Sequence, residues 1–202
     1  MFKRLAADAL GISDIGVIIG PEDYNKVDAD DYLFTEDGEK IFFLIKSKKD
    51  EYCFTNLALI HVDGDSAVSS KRSIKRYDYS SNLVTNVTIE TAGTLDMDIE
   101  LKFNLDGTEF SIDVKKTFIE PLKDIYKALI SIGKQQQRDA VCRENALQAL
   151  EATASVHKLN IAPDGGSLTS QFNALLGALN TAVLDTYTKR DFSDVFAKYI
   201  HN

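Results

Sequence analysis

From Ile41 onward the apolar and polar positions fall into short runs with the period of strands. IFFLIK (41–46), EYCFT (51–55) and NLALIHVD (56–63) are rich in β-branched and aromatic residues, with the polar SKKD (47–50) between the first two. KRSIKRYDY (71–79) follows a Ser-rich loop over 66–70, and then come VTNVTIE (84–90), LDMDIELKFNL (95–105) and TEFSIDVKK (108–116). Asp37-Gly38 and Asp63-Gly64 read as turns. Asp106-Gly107, set between two alternating runs, is the strongest hairpin signal in the chain. Seven strands at this spacing predict a sandwich or barrel.

The period then lengthens. Over 119–132 (IEPLKDIYKALISI), Ile119, Leu122, Ile125, Tyr126, Leu129, Ile130 and Ile132 form a broad helical face, with Pro121 in the first turn, where its missing N–H costs nothing. A single helix after seven antiparallel strands suits the open corner of a small, strongly bent sheet. Upstream, residues 2–10 predict a short amphipathic helix, packed on the fold or a neighbouring subunit rather than anchored on a membrane, and the acidic 20–31 predict a connector.

Gly133 punctuates the helical pattern, and a polar lead-in follows. From Asp139 to Leu159, Ala140, Leu147 and Ala154 recur every seven residues with Leu150 and Val156 nearby, which predicts a helix with a thin, alanine-rich seam. NIAPDGGS (160–167) predicts a turn. Phe172, Leu175, Leu176, Leu179, Ala182, Val183 and Tyr187 stripe a second helix. Residues 188–191 interrupt it, and Phe192, Val195, Phe196, Tyr199 and Ile200 stripe a third. Such a helical hairpin cannot cover all its own apolar faces. The leftover face packs on the β-domain or on another chain, and periodicity alone leaves the two equal.

Charge sharpens the division. Residues 1–132 carry 16 Lys/Arg against 24 Asp/Glu, whereas 133–202 carry 7 of each, so the net charge of −8 sits wholly in the first part. Two units are expected, 1–132 and 133–202. An acidic chain is a poor binder of nucleic acid. Cys53 and Cys142 form no C-x-x-C and read as buried free thiols. No apolar run approaches the ~18 residues of a membrane span, and Asp8 and Asp14 break any leader after Lys3 and Arg4, so a soluble, cytoplasmic protein is expected. His61, His157 and His201 are scattered without H-E-x-x-H spacing. There is no G-x-S-x-G or Walker loop, and the acidic Asp28, Asp30 and Asp31 lack the glycine of a calcium loop. The expectation is a non-enzymatic protein with no cofactor and no metal.

YCFTNLALIHVDG (52–64), KRSIKRYDY (71–79) and EPLKDIYKALI (120–130) resemble the bacterial pleckstrin-homology-like family, and residues 133–202 are similar to the YvbH-type oligomerisation extension of some members. The resemblance covers nearly the whole chain. It implies an α+β fold: a strongly bent, seven-stranded antiparallel sandwich or half-barrel capped by one helix and followed by a helical hairpin. It also implies self-assembly into higher-order cyclic rings, with strands of adjacent protomers meeting and a hydrophilic surface offered to other proteins. The hairpin is then a subunit contact, carried by Leu147, Leu150, Phe172, Leu176, Leu179 and Phe196.

Eukaryotic relatives of this fold grip phosphoinositides with Lys and Arg of the first hairpin. The matching Lys46, Lys48 and Lys49 have no arginine in the following EYCFT, so the bidentate grip on phosphate is missing. The denser basic group, Lys71, Arg72, Lys75 and Arg76, reads as a solvated or subunit-steering strand facing acidic neighbours such as Asp96, Asp98 and Glu100. The alternative is a peripheral membrane adaptor that binds anionic lipid through those four residues.

Overall fold

The computed structural model describes residues 13–64, 72–91, 98–156 and 166–201. The helix expected over 2–10, the Ser-rich loop, Lys71, Asp96 and most of the 160–167 turn lie outside them. Eight strands occur among the described residues: β1 (Val17–Ile18), β2 (Ile41–Lys46), β3 (Glu51–Thr55), β4 (Ala58–Gly64), β5 (Arg72–Asp78), β6 (Val84–Thr91), β7 (Asp98–Leu105) and β8 (Thr108–Lys115). They pair antiparallel into a five-stranded sheet, in order β1 to β5, and a three-stranded sheet, in order β6 to β8.

The two sheets read differently in sequence because they are covered differently. β7 and β8 are buried on one face only. Ile99, Leu101, Phe103, Phe110, Ile112 and Val114 point into the main core, while Glu100, Lys102, Ser111 and Asp113 stay outside, hence the clean alternation. β2 to β4 are buried on both faces and therefore run as unbroken apolar stretches. Ile45, Phe54 and Leu59 enter the main core, whereas Leu44, Cys53, Ile60 and Val62 form a second, smaller one. A register shift between Ile41 and Phe43 lets both Phe42 and Phe43 reach the main core.

What covers the second core is the segment expected as a plain connector. It folds as three 3₁₀ turns, Pro21–Lys26, Asp28–Tyr32 and Thr35–Asp37, and it delivers Val27 and Ala29 to the outer face of the sheet. Glu51, nearly fully buried, holds it in place. Its carboxylate accepts the amides of Asp28 (3.1 Å) and Ala29 (2.8 Å) and pairs with the Lys46 ammonium. An acidic composition predicts a connector, but two of this segment's backbone donors are satisfied by a buried acid.

Gly16 joins the two sheets. Its amide donates to the Asp113 carbonyl (2.7 Å) and its carbonyl accepts from Lys115 N (3.0 Å), a parallel bridge beside β1. A Cβ there would stand 2.8 Å from Ile45 Cγ2 and 2.9 Å from Asp113 O, closer than side chains pack. β1 itself is too short for any periodicity to announce.

A 3₁₀ turn, Lys116–Phe118, leads into α1 (Ile119–Val156), a single helix of 38 residues. The sequence placed a helix end at Gly133, and the helix runs through it. Glycine costs a helix only about 1 kcal/mol against alanine, and here it has a packing reason. A Cβ on Gly133 would lie 2.5 Å from the Val84 carbonyl oxygen, so the glycine is what lets the helix lie against β6. Leu122, Ile125, Ala128, Leu129 and Ile132 fill the open side of the main core, as the capping helix was expected to do. After α1 come α2 (Gly166–Asn180), which continues as a π-helical stretch over Thr181–Thr186, and α3 (Ser193–Tyr199).

The chain forms two compact units. One holds the described residues up to Gly133 together with those from Arg190 on, and the other is Lys134–Lys189. Residues 190–201, expected as part of the 133–202 extension, fall in the first compact unit, for a clear physical cause. Phe192 and Phe196 are wholly buried in the main core. Phe196 stacks on Phe42 with ring centroids 5.2 Å apart, and Phe192 meets Tyr79 edge-on at 5.7 Å. Phe192 N donates to Asn56 O (2.9 Å), Asn56 Nδ2 donates to Asp191 Oδ2 (3.1 Å), and Asp191 Oδ1 accepts from Ser193 N (2.7 Å). Burial pushes the Asp191 carboxyl up, but the Ser193 and Asn56 bonds outweigh it and hold its pKa below the usual carboxylate value.

Two alanine substitutions at helical glycines separate packing from propensity. Gly133→Ala should destabilise the protein, because forcing a methyl into a tight contact typically costs ~1–3 kcal/mol, more than the helix gains. Gly177→Ala in α2 has open space around the new Cβ and should stabilise its helix by up to about 1 kcal/mol. Urea unfolding followed by circular dichroism checks both, and equal effects at the two sites would contradict the packing argument.

Candidate functional site

Two regions of the sequence promised interaction chemistry: the basic strand and the striped hairpin. Along β5, Arg72, Ile74, Arg76 and Asp78 share one face and Ser73, Lys75 and Tyr77 the other, by strand alternation. Arg76 lies at the centre of a half-buried network built around a buried acid. Its Nη1 is 3.0 Å from both carboxylate oxygens of Glu39, its Nε is 2.7 Å from Asp78 Oδ1, and its guanidinium lies 4.6 Å from the centre of the Phe34 ring. The Glu39 side chain is 0% exposed and also accepts from Thr55 Oγ1 (2.6 Å) and Phe34 N (2.8 Å). Burial works against the charge on Arg76, but Glu39 and Asp78 outweigh it and raise the guanidinium pKa further.

The neighbouring cations have partners too. Arg72 Nε stands 3.4 Å from Asp28 Oδ2, and Lys75 Nζ stands 3.9 Å from Asp63 Oδ2. Arg72, Lys75 and Arg76 thus face Asp28, Asp63, Glu39 and Asp78, and the strand is locally close to neutral. A basic run on paper is an internal ion-pair array in the fold. β5 is also the last strand of its sheet, and among the described residues no strand pairs with its outer edge. Phe34 and Ile74 are exposed on its outer face.

In the second unit the described apolar stripes are exposed or half-buried. Among the described side chains of Lys134–Lys189, no apolar residue is buried. Phe172 is 60% exposed, Leu176 42% and Leu147 41%, and Val141 and Leu184 are exposed as well. Leu150 and Leu179 are half-buried. Phe196, expected in this set, is instead in the core of the first unit. The polar groups of the hairpin, by contrast, are well matched at its base. Asp139, buried, accepts from Gln135 Nε2 (2.7 Å) and Lys189 N (3.2 Å), and Arg143 Nη1 donates to the Tyr187 carbonyl and to Thr188 Oγ1 (3.3 Å). Covering side chains of this size yields ~1.5–3 kcal/mol each. The hairpin holds its ends together with hydrogen bonds and leaves its apolar wall open.

The remaining chemistry-bearing residues have packing roles. Cys53 is buried in the second core, where burial pushes its thiol well up, and Cys142 is half-buried. His61 stacks on Tyr52 at 4.5 Å, with Nε2 3.5 Å from Asp50. Among the described residues no group of His, Cys, Asp and Glu is arranged to hold a metal, and no helix is long and apolar enough to cross a membrane. A cavity of about 100 Å³ lies between the end of β1, the start of α1 and Ile200, with Asp124 and His201 at its rim.

The paired state of Arg76 makes a sharp contrast with its neighbour. Arg76→Ala should cost ~3–5 kcal/mol, because it leaves the Glu39 carboxylate buried without its counter-charge. Lys75→Ala, at an exposed and long ion pair, should change stability by less than 1 kcal/mol. Thermal or urea unfolding of the two variants reads the difference, and a small loss for Arg76→Ala would show that the network is not structural.

Comparison with known proteins adds to this geometry. A family model described as bacterial PH domain matches residues 9–132, and one described as YvbH-like oligomerisation region matches 146–202. The chain is 51% identical over 205 residues to the protein YvbH of Bacillus subtilis (strain 168), covering 100% of both. It is 34% identical over 98 residues to YjqA of the same organism, covering 48% of this chain and 76% of that one. A crystal structure of a PH domain-containing bacterial protein from Exiguobacterium sibiricum 255-15 is similar at 41% identity with a TM-score of 0.86, covering 93% of this chain and 100% of that one.

Proposed function

The chain belongs to the bacterial PH domain family and carries a YvbH-like oligomerisation region, and from this we propose that it is a non-enzymatic cytoplasmic scaffold. It self-associates through the Lys134–Lys189 hairpin into a higher-order cyclic homo-oligomer and offers the hydrophilic surface of its PH-like units to a partner protein. The observation that carries the reading is the hairpin with no buried apolar side chain among those described. Exposed apolar surface on that scale, within a region matched as an oligomerisation region, is what subunit contacts are made of.

A second surface suits ring closure. A head-to-tail contact closes when the rotation per step allows it, and it needs two different faces on each copy. β5 is the last strand of its sheet among the described residues, a position that suits a neighbouring strand, and its near-neutral ion-pair array avoids like-charge repulsion there. The anionic-lipid alternative gains less support, since Arg72, Lys75 and Arg76 already face carboxylates and have less free charge for a membrane surface.

Leu176→Asp combined with Leu179→Asp should lower the assembly state, because it places charges inside the subunit contact. Light scattering after size exclusion measures the mass, and the β-sheet circular dichroism signal should persist. A double variant that keeps the full assembled mass would remove the hairpin as the contact.

A further inference from the structure

We propose that residues 190–201 are a clasp that couples assembly of the hairpin to the PH-like unit, so that association between copies and docking of α3 strengthen each other. This rests on the reading of the hairpin as subunit contact and assigns it a regulatory consequence.

α3 has seven residues, too few to persist as a helix in water, so it exists because it is docked. Its dock is specific. Phe192 and Phe196 are wholly buried against Phe42 and Tyr79, Asn56 bonds the segment through both its carbonyl and its side chain, and Ser131 Oγ lies 3.0 Å from Tyr199 Oη. Asn56 is itself 1% exposed, so undocking would remove the Asp191 partner of its amide and the Phe192 N–H from its carbonyl and uncover two aromatic rings.

The segment reaches this dock only through Lys134–Lys189. How often it finds the dock depends on how tightly that intervening loop is held, since a loose loop lowers the effective concentration of its end. Within the hairpin, the Asp139 bond to Lys189 N and the Arg143 bonds to Tyr187 and Thr188 return the chain to α1 immediately before Arg190. Those bonds hold the base, while the apolar walls beyond it have nothing covering them among the described side chains. A second copy that covers Phe172 and Leu176 orders the walls, keeps the base closed and presents α3 to its dock. By linkage, a docked α3 favours the ordered hairpin and hence assembly to the same degree.

Hydrogen exchange on the full-length chain and on Leu176→Asp/Leu179→Asp tests this. The reporters are the α3 amides of Phe196 and Ile200, which donate to Phe192 O (3.0 Å) and Phe196 O (2.8 Å). In the disassembled variant their exchange should accelerate on the order of tenfold, within the usual range of coupling between sites, while β7 and β8 stay protected. Arg143→Ala, which opens the base without touching the apolar wall, should accelerate the same amides and weaken assembly. Unchanged α3 protection in a disassembled variant overturns the clasp and leaves the scaffold reading standing. Equal loss in β7 and β8 also overturns it, because α3 would then open only with the whole unit. A wild type that is already monomeric, or a variant that stays assembled, overturns both.

Discussion

The main hydrophobic core is built from both ends of the chain, and the rest of the structure depends on that. Two bent sheets leave an open side. The first turns of α1 close part of it with Leu122, Ile125 and Leu129, and Phe192 and Phe196 of the C-terminal segment close the rest beside Phe42 and Tyr79. Large buried aromatics dominate such cores and are expensive to remove. The first compact unit is therefore discontinuous in sequence, its parts up to Gly133 and from Arg190 on flanking Lys134–Lys189. At Gly16 and Gly133 the backbone of another element approaches too closely for a side chain, one glycine joining the sheets and the other seating the helix.

Much of this was legible. β7 and β8 alternate because one face is wet, and Asp106 and Gly107 both adopt positive φ (47° and 81°), as a tight two-residue hairpin turn requires. The apolar face of 119–132 identified the plug, and the family resemblance identified the architecture. The misses share a physical reason: pattern reports that a face is apolar, not what covers it. The stripe Phe192, Phe196 and Ile200 looks like the stripe Phe172, Leu176 and Leu179, yet the first is core while Phe172 and Leu176 are exposed and Leu179 half-buried. Gly133 reads as a stop because propensity is local, whereas its contact with Val84 is 49 positions away in sequence. The basic strand reads as solvated or subunit-steering, and its internal pairing stays hidden because its counter-charges Glu39 and Asp28 come from a distant segment.

The same division explains the proposed function. The first unit pairs charges internally, Arg76 with Glu39 and Lys46 with Glu51, and buries two apolar cores within its own chain. The second unit satisfies its polar base and leaves its apolar wall uncovered among the described side chains. A self-contained module carrying an incomplete one is the physical form of a domain that assembles through an extension. Because the chain both enters and leaves Lys134–Lys189 from the first compact unit, the proposed assembly and the folding of that unit would share a free-energy cycle.

The most direct test is the solution mass, by light scattering, of the full chain and of a chain in which 134–189 are replaced by a short Gly-Ser linker that keeps 190–202. The account predicts a discrete oligomer for the full chain, and for the shortened chain a folded protein of lower assembly order, its core still completed by Phe192 and Phe196. A full chain that runs as a monomer, or a shortened chain that keeps the whole assembled mass, would contradict it.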